Sequence, residues 1–249
     1  MEWQDTISAF HSRWTVTGNL GISEAMMDFA AARAHMVDSQ MRTAGVTDHR
    51  VLAVFGTIPR EDFVPPEQRG IAYLDDDLLI KPGSRAHPPR FLMEPMVLAR
   101  LVQLANIRPS DKVLHVGCTT GYATAILANL AREVVATDED AELTEMAGKL
   151  LVVQDIRNAR VIQAPHALGA MAEAPFDVIV IEGQVPATPA ALLDQLADGG
   201  RLVAVVGERA MAPAMLYTRH GEATSTRVAF DAAVKRLPGF VVERPAFVF

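Results

Sequence analysis

The feature that most constrains the fold is the stretch of residues 112–138, which places a glycine turn between two short apolar runs. The run at 113–116 predicts a buried parallel strand, and the run at 134–137 predicts a second one. Between them, the turn at 117–121 precedes a helical pattern, and Asp138 follows the second run. Strand, glycine turn, helix, strand and terminal acid is the order of a nucleotide-binding βαβ unit.

The residue types of this unit suggest separate roles. Gly117 permits a backbone conformation that residues with a Cβ avoid, and Gly121 is expected to leave room for a ligand near the helix start. Free N–H groups there favour polar or anionic ligand atoms. The carboxylate of Asp138 is placed to accept hydrogen bonds from a ribose diol. The alternative is a βα turn without a ligand, but the turn and the acid occur together, which favours the nucleotide site.

The composition fits one large domain, or a domain with a small N-terminal element. The sequence has 249 residues, of which 50% are hydrophobic, so we expect a sizeable core. The net charge is −7, without a long run of either sign. That balance argues against binding to nucleic acid and to anionic membrane surfaces. No apolar run approaches the length of a membrane span.

Cysteine usage and the first residues indicate a compartment. Cys118 is the single cysteine, which excludes a disulfide within the sequence and fits a reducing environment. Glu2 and Asp5 lie where a signal peptide would be basic and then apolar. We therefore expect a cytoplasmic protein. The scattered histidines lack ligand spacing, so we expect no metal site. The sequence indicates no oligomeric state.

Helical and β patterns alternate along the chain, which predicts an α/β sandwich with a mostly parallel sheet and an antiparallel C-terminal edge. The helical pattern covers residues 23–45, 48–57, 91–104, 122–131, 141–153 and 189–196. The β pattern covers residues 113–116, 134–137, 160–163, 176–181, 201–206, 216–219, 225–230 and 241–249.

Two classes of nucleotide ligand use such a βαβ unit: dinucleotides and S-adenosylmethionine. A dinucleotide site usually carries G-x-G-x-x-G, with its third glycine inside the helix. Here only the outer glycines of G-x-x-x-G are present, and Ala123 and Ala125 begin the helix. The chain also ends in β-type segments. Both points favour S-adenosylmethionine.

Three segments together resemble the protein-L-isoaspartate O-methyltransferase family, over roughly residues 36–237. The sequence DSQMRTAGVTDHRVLAVFGTIPREDFVPPEQRGIAYLDDDL is similar to that family's N-terminal cap. VLHVGCTTGYATAILANLA is similar to its cofactor loop, and APFDVIVIEGQVPATPAALLDQLADGGRLVAVVG to its fourth strand, helix and fifth strand. The cap is the specific part, because S-adenosylmethionine domains in general lack it.

The resemblance implies a Rossmann-like class I methyltransferase fold. It implies methyl transfer from S-adenosylmethionine to the carboxylate of an isoaspartyl residue, with a damaged protein or peptide as the substrate. Residues 1–22 are polar and mixed, so we expect an N-terminal arm at 1–22, followed by a helical cap with a substrate-side loop at 23–108 and a cofactor-binding domain at 109–249. No base is demanded, because a carboxylate is already nucleophilic at neutral pH; no catalytic residue is therefore assigned.

The largest departure from the family lies on the acceptor side. Where the family has T-I-S-(QA)-P, an alignment through Pro95 places Phe91-Leu92-Met93-Glu94. The hydroxyls that would hold the substrate carboxylate are thus replaced by apolar groups. Ser84 or His87, in the longer loop before this segment, are candidates to replace them; the alternative is that both are solvated loop residues.

Other departures fall on the cofactor side. The family's acid in the first strand is His115, the middle glycine of its turn is Thr119, and the acid of its G-D-G turn falls on Pro165. Glu182 lies at the tip of the fourth strand, where the family has a small or hydroxyl residue, and it would repel a substrate carboxylate. The cofactor-binding residues that we predict are His115, Gly117, Cys118, Thr119, Gly121, Asp138, Glu139, His166 and Glu182.

The substitutions cluster at cofactor and acceptor positions, while the packing segments match the family well. An active methyltransferase, with an isoaspartyl or an altered acceptor, is the first hypothesis. A binding or scaffold protein that keeps the fold after losing the site is the second. An NAD-type oxidoreductase is a third, which the cap and the turn disfavour.

Overall fold

A computed structural model of the chain describes residues 28–240 apart from residue 86. Its centre is a seven-stranded sheet in the order β5-β4-β3-β6-β7-β8-β9, and a separate two-stranded sheet is formed by β1 and β2. The pairings from β5 to β7 are parallel, and those of β7 with β8 and of β8 with β9 are antiparallel. The predicted α/β sandwich with an antiparallel C-terminal edge is confirmed.

α-Helices connect the strands of the large sheet from β3 to β5 and from β6 to β7, and the short 3₁₀ helices His166–Leu168 and Met171–Glu173 lie between β5 and β6. The strands are β1 Leu78–Lys81, β2 Arg90–Leu92, β3 Lys112–Val116, β4 Glu133–Asp138, β5 Ala159–Gln163, β6 Phe176–Val185, β7 Leu196–Val206, β8 Ala212–His220 and β9 Ala223–Ala232. The helices are α1 Phe29–Met36, α2 His49–Phe55, α3 Pro95–Ala105, α4 Tyr122–Ala128, α5 Ala141–Val153 and α6 Ala190–Leu193.

The topology brings the carboxyl ends of three strands together. β3 lies between β4 and β6, so the strand order reverses at β3, and ligands of open α/β sheets bind at such a point. The turn after β3, the end of β4 at Asp138 and Glu182 near the end of β6 all lie at this edge. The backbone thus places the predicted site residues at the switch point.

Several predicted boundaries were wrong. The helix predicted from Phe91 begins at Pro95, and Phe91 belongs to strand β2, which pairs with β1. The cause is Pro95, since proline favours the first helical turn and disfavours helix in the residue before it. The helix predicted to start at 23 is described from Phe29 and continues as a π-helix, Val37–Met41. The arm at 1–22 and the strand at 241–249 lie outside the described residues.

Both faces of the sheet are covered by apolar side chains. On β3 and β6, Val113 and Val178 belong to one buried cluster, and Leu114 and Ile179 belong to the other. The first cluster also contains cap residues such as Phe55 and Phe63. Residues 28–108 therefore share a hydrophobic core with the sheet. No helix in the described part of the chain is long and apolar enough to cross a membrane.

A buried arginine ties the cap to the nucleotide half. The side chain of Arg60 is fully buried and donates to the carbonyls of Ala72 and Met93, at 2.8 Å each. Its guanidinium lies 4.9 Å from the ring centroid of Tyr122, at the start of α4. Arg60 thus holds together two parts of the chain. One is the acceptor segment, residues 91–94, and the other is helix α4, which follows the glycine turn.

We expect Arg60→Ala to lower the free energy of unfolding by about 3 kcal/mol, because it leaves two buried carbonyls without donors and a cavity beside Tyr122. The measurement is urea unfolding at pH 7, with Arg42→Ala as the control, since Arg42 is exposed and pairs only with Asp38 four residues away. Equal losses for the two variants would contradict this role for Arg60.

Candidate functional site

The turn between β3 and α4 is held against the end of β4. The N–H groups of Gly117 and Cys118 donate to the carbonyl of Thr137, at 2.9 and 3.0 Å. Gly117 has a φ of +84° and Thr119 a φ of +47°. A left-handed conformation costs a residue with a Cβ about 1 kcal/mol. The turn therefore keeps a glycine-type shape although a threonine occupies its middle position.

The protein itself fills the space beside the two glycines of the turn. A Cβ added to Gly117 would lie 2.7 Å from Cδ1 of Leu237. At Gly121, an added Cβ would lie 3.3 Å from the Cβ of Ala147 in α5. The sequence predicted space for a ligand at Gly121, but in the structure that space faces a neighbouring helix.

Asp138 is buried and its carboxylate is fully engaged. Arg90 donates from both terminal nitrogens, at 2.5 Å to Oδ1 and 2.7 Å to Oδ2. The N–H of Asp140 donates to Oδ1 and the N–H of Thr119 to Oδ2, each at 3.0 Å. A carboxylate offers about four acceptor positions. All four are therefore taken by groups of the chain itself.

The surroundings of Asp138 keep it ionised. Burial would raise its pKa, but hydrogen bonds from His166 and Arg90, together with the positive charge of Arg90, hold the pKa of this carboxyl well below its usual range. The side chain of Arg90 is 5% exposed and that of Asp138 0%. Such an ion pair is barely screened by salt, and loss of one partner would leave a buried charge.

A second buried pair, His115 and Glu182, lies near the same edge of the large sheet. Nε2 of His115 is 3.1 Å from Oε2 of Glu182, close enough for an ion pair although not in the orientation of a hydrogen bond. Nδ1 of His115 is 2.9 Å from Oγ1 of Thr124. Glu182 also accepts from the N–H of Met93 through Oε1, at 3.3 Å. The two substituted residues thus contact each other and the acceptor segment.

Residues 238 and 239 lie against the predicted cofactor-binding residues His166 and Glu139. Nδ1 of His166 donates to the carbonyl of Pro238 at 3.0 Å, and His166 is buried. Nε2 of His166 lies 3.4 Å from the N–H of Glu139. A Cβ added to Gly239 would lie 2.7 Å from Oε2 of Glu139. His166 and Glu139, two of the predicted cofactor-binding residues, therefore lie against residues 238 and 239.

Cys118 is the predicted site residue that lies apart from the others. It belongs to a small apolar cluster with Ala136 and Ala147, between the sheet and α5. Burial raises the pKa of its thiol well above the usual value. The backbone of Cys118 shapes the turn, while its side chain serves packing. No group of three or more His, Cys, Asp or Glu side chains among the described residues is arranged to hold a metal ion.

A small cleft lies on the acceptor side of Arg90. It is lined by Asp77, Arg90, Phe91, Met93, Glu182, Gly183, Val234, Lys235, Arg236 and Leu237. Phe91 and Met93, which replace the family's hydroxyl residues, thus face the predicted acceptor position. Ser84 and His87 do not line the cleft; the Oγ of Ser84 accepts from the N–H of His87 within their own loop.

The structure brings together most of the predicted residues, but around side chains that sequence reasoning did not assign to the site. Arg90 engages Asp138, and Leu237 covers Gly117. One signal pointed to Arg90: it is a basic residue directly before the apolar segment at 91–93. For Leu237 the sequence offered no such signal.

The chain was compared with known proteins. A sequence model of the protein-L-isoaspartate(D-aspartate) O-methyltransferase family matches residues 31–236, which include both the cap and the sheet. The chain belongs to this family. Its members include a Koribacter versatilis protein-L-isoaspartate O-methyltransferase, 40% identical over 188 residues, which are 76% of this chain and 82% of that protein. A Synechococcus relative of the same name is 36% identical over 81% of this chain and 83% of its own length.

Solved structures show the same fold. A protein-L-isoaspartate O-methyltransferase aligns with a TM-score of 0.72 at 21% identity, over 83% of this chain and 66% of that chain. A Plasmodium falciparum structure described by the same name, in complex with S-adenosyl-L-homocysteine, aligns with a TM-score of 0.68 at 19% identity, over 82% and 97%. The predicted class I methyltransferase fold is thereby confirmed.

Glu94, which takes the place of the family's Gln or Ala, has a titration that can be tested. Burial, and then the charges of Asp75, Asp77 and Asp76, raise its pKa to about 7. Its pKa in the unfolded chain is about 4.5. The folded state therefore holds a proton that the unfolded state has lost between these two pH values, and stability falls as the pH rises through this window.

We expect Glu94→Gln to raise the melting temperature at pH 8 by a few degrees and to leave it unchanged near pH 4.5. The full shift is discounted to about 1 kcal/mol because Glu94 is partly exposed. The check is thermal unfolding at both pH values. Glu67→Gln, which removes an exposed carboxylate, controls for net charge. An effect of Glu94→Gln that is equal at both pH values would contradict the expectation.

Proposed function

We propose that the protein is an S-adenosylmethionine-dependent methyltransferase that acts on the carboxylate of isoaspartyl residues in damaged proteins or peptides. The observation that carries the proposal is the family match over residues 31–236, because it spans the specific cap as well as the general fold. A further support is the acid-tipped strand β4 beside the glycine turn at the switch point. A buried free thiol at Cys118 fits a reducing compartment, and we place the protein in the cytoplasm.

The arrangement described above does not fit an adenosyl ligand. A ribose diol needs acceptor positions on Asp138, and all four are engaged by Arg90 and two backbone N–H groups. The space over Gly117 holds the side chain of Leu237. The cleft beside Arg90 is lined by none of the residues 117–121. We therefore derive no catalytic step through the cofactor.

The chain's own groups around the cleft supply both signs of charge for an acceptor. Lys235 and Arg236 are exposed at its rim, and Nζ of Lys235 lies 5.6 Å from the ring centroid of Phe91. A substrate carboxylate would be attracted by these cations and repelled by Glu182 deeper in the cleft. Orientation of the acceptor, without a general base, is what a carboxylate methyl transfer requires of the protein.

Glu182 favours a second candidate, in which the methyl acceptor is a group other than a carboxylate. Its side chain is 1% exposed, and Oε2 has no hydrogen-bond donor among the described residues. A buried carboxylate in a cleft suits an acceptor that carries an N–H or O–H group. A methyl-transfer assay that compares peptides with different acceptor groups separates the two candidates.

We expect the protein to bind S-adenosylhomocysteine in calorimetry and to transfer labelled methyl groups to an isoaspartyl peptide but not to the aspartyl peptide of the same sequence. Binding without transfer to the isoaspartyl peptide would support the second candidate. If the folded protein bound neither S-adenosylmethionine nor S-adenosylhomocysteine, the proposed function would be wrong.

A further inference from the structure

The β1–β2 hairpin places two cations beside three acidic residues after and at the end of β4, Asp138, Asp140 and Glu142, which we call the acidic corner. Arg90 pairs with Asp138 through two hydrogen bonds, and Lys81 lies 2.6 Å from Asp140 and 3.1 Å from Glu142. The two strands form a sheet of their own, separate from the large sheet. Lys81 and Arg90 are register partners at the loop end of the hairpin, so the two charge pairs hold that end over the predicted nucleoside position.

Arg90 has the chemistry of a nucleoside substitute at this position. A ribose diol presents two neighbouring donors to a carboxylate, and the guanidinium presents two N–H donors with matching spacing. Together with the N–H groups of Thr119 and Asp140, the buried ion pair leaves no acceptor position on Asp138 for a ribose while it lasts. An occupant and a ligand that need the same acceptor atoms cannot be bound together.

The side chain of Arg90, rather than the strand that carries it, is the part that can leave this contact. Leu78 and Ile80 in β1 and Leu92 in β2 are buried in the main core cluster, while residues 82–85 and 87–89 between the two strands are exposed. Asp138 is held in β4, which pairs with β3 and β5 on its two sides. Movement at this contact therefore falls to the side chain of Arg90.

We propose that Arg90 is an internal competitor for the cofactor: the described arrangement is a closed state, and the side chain of Arg90 must leave Asp138 before a nucleoside binds. The proposal rests on the proposed function for the identity of the ligand. The apparent affinity of the protein for the ligand is then reduced by the fraction of molecules in the closed state. Removal of the guanidinium raises that affinity.

The first experiment is independent of any ligand. Urea unfolding of wild type, Arg90→Gln, Asp138→Asn and the double variant forms a double-mutant cycle. We expect each single variant to be destabilised, because it leaves a buried group without its partner, and the double variant to lose less than the sum of the two. Additive losses would mean that the pair does not form in solution, which would overturn the proposal.

The second experiment is calorimetry with S-adenosylhomocysteine on the same proteins. We expect the dissociation constant of Arg90→Gln to be lower than that of wild type by about tenfold or more, and that of Asp138→Asn to be higher. Arg90→Lys keeps the charge but not the two-point contact, so we expect an intermediate value, and it serves if Arg90→Gln is poorly folded. Arg85→Gln, in the exposed part of the same loop, is the matched control and should equal wild type.

The outcomes separate this proposal from the function on which it rests. Unchanged or weaker binding by Arg90→Gln, with wild type binding normally, overturns the competitor role and leaves the methyltransferase function standing. Coupling in the cycle without binding by any variant means that Arg90 is a permanent plug. That result overturns both the competitor role and the proposed function.

Discussion

The ion pair between Arg90 and Asp138 is the interaction on which the arrangement of the site depends. It joins the hairpin of the acceptor side to the second strand of the nucleotide unit, and it is buried at both ends. Because desolvated charges are costly unless every acceptor position is satisfied, the pair is accompanied by the N–H groups of Thr119 and Asp140. The turn, the hairpin and the acidic corner are therefore positioned as one unit.

The neighbouring pair of His115 and Glu182 follows the same physical logic on the acceptor side. The imidazole of His115 and the carboxylate of Glu182 lie on adjacent strands, 3.1 Å apart and both buried. The family's acid at the position of His115 would place a second buried carboxylate beside that of Glu182. A histidine at position 115 therefore avoids a buried contact between two carboxylates when Glu182 lies near the end of β6. It also makes the floor of the cleft unlike a plain carboxylate-binding pocket.

The fold class, the edge of the sheet that holds the site and the family could be predicted from the sequence, because they depend on local patterns. Apolar runs of β3 and β6 are bounded by turn residues, and Asp138 and Glu182 come directly after such runs. The strand that contains Phe91 was predicted as helix, since the apolar residues at 91–93 continue the pattern of α3 and only Pro95 marks the true start. The roles of Arg90 and Leu237 were out of reach, because their partners lie 48 and 120 residues away in the chain.

By itself, the sequence determined the fold, the family and the edge of the sheet where chemistry is to be sought. Periodicity, glycine turns and strand-end acids are short-range properties that the backbone must obey. Only the tertiary structure decided what lies against Asp138 and Gly117, because a long side chain such as arginine finds its partner through the path of the whole chain. From the sequence, the carboxylate of Asp138 is predicted to accept hydrogen bonds from a ribose. In the folded protein it already accepts them from Arg90 and two backbone N–H groups.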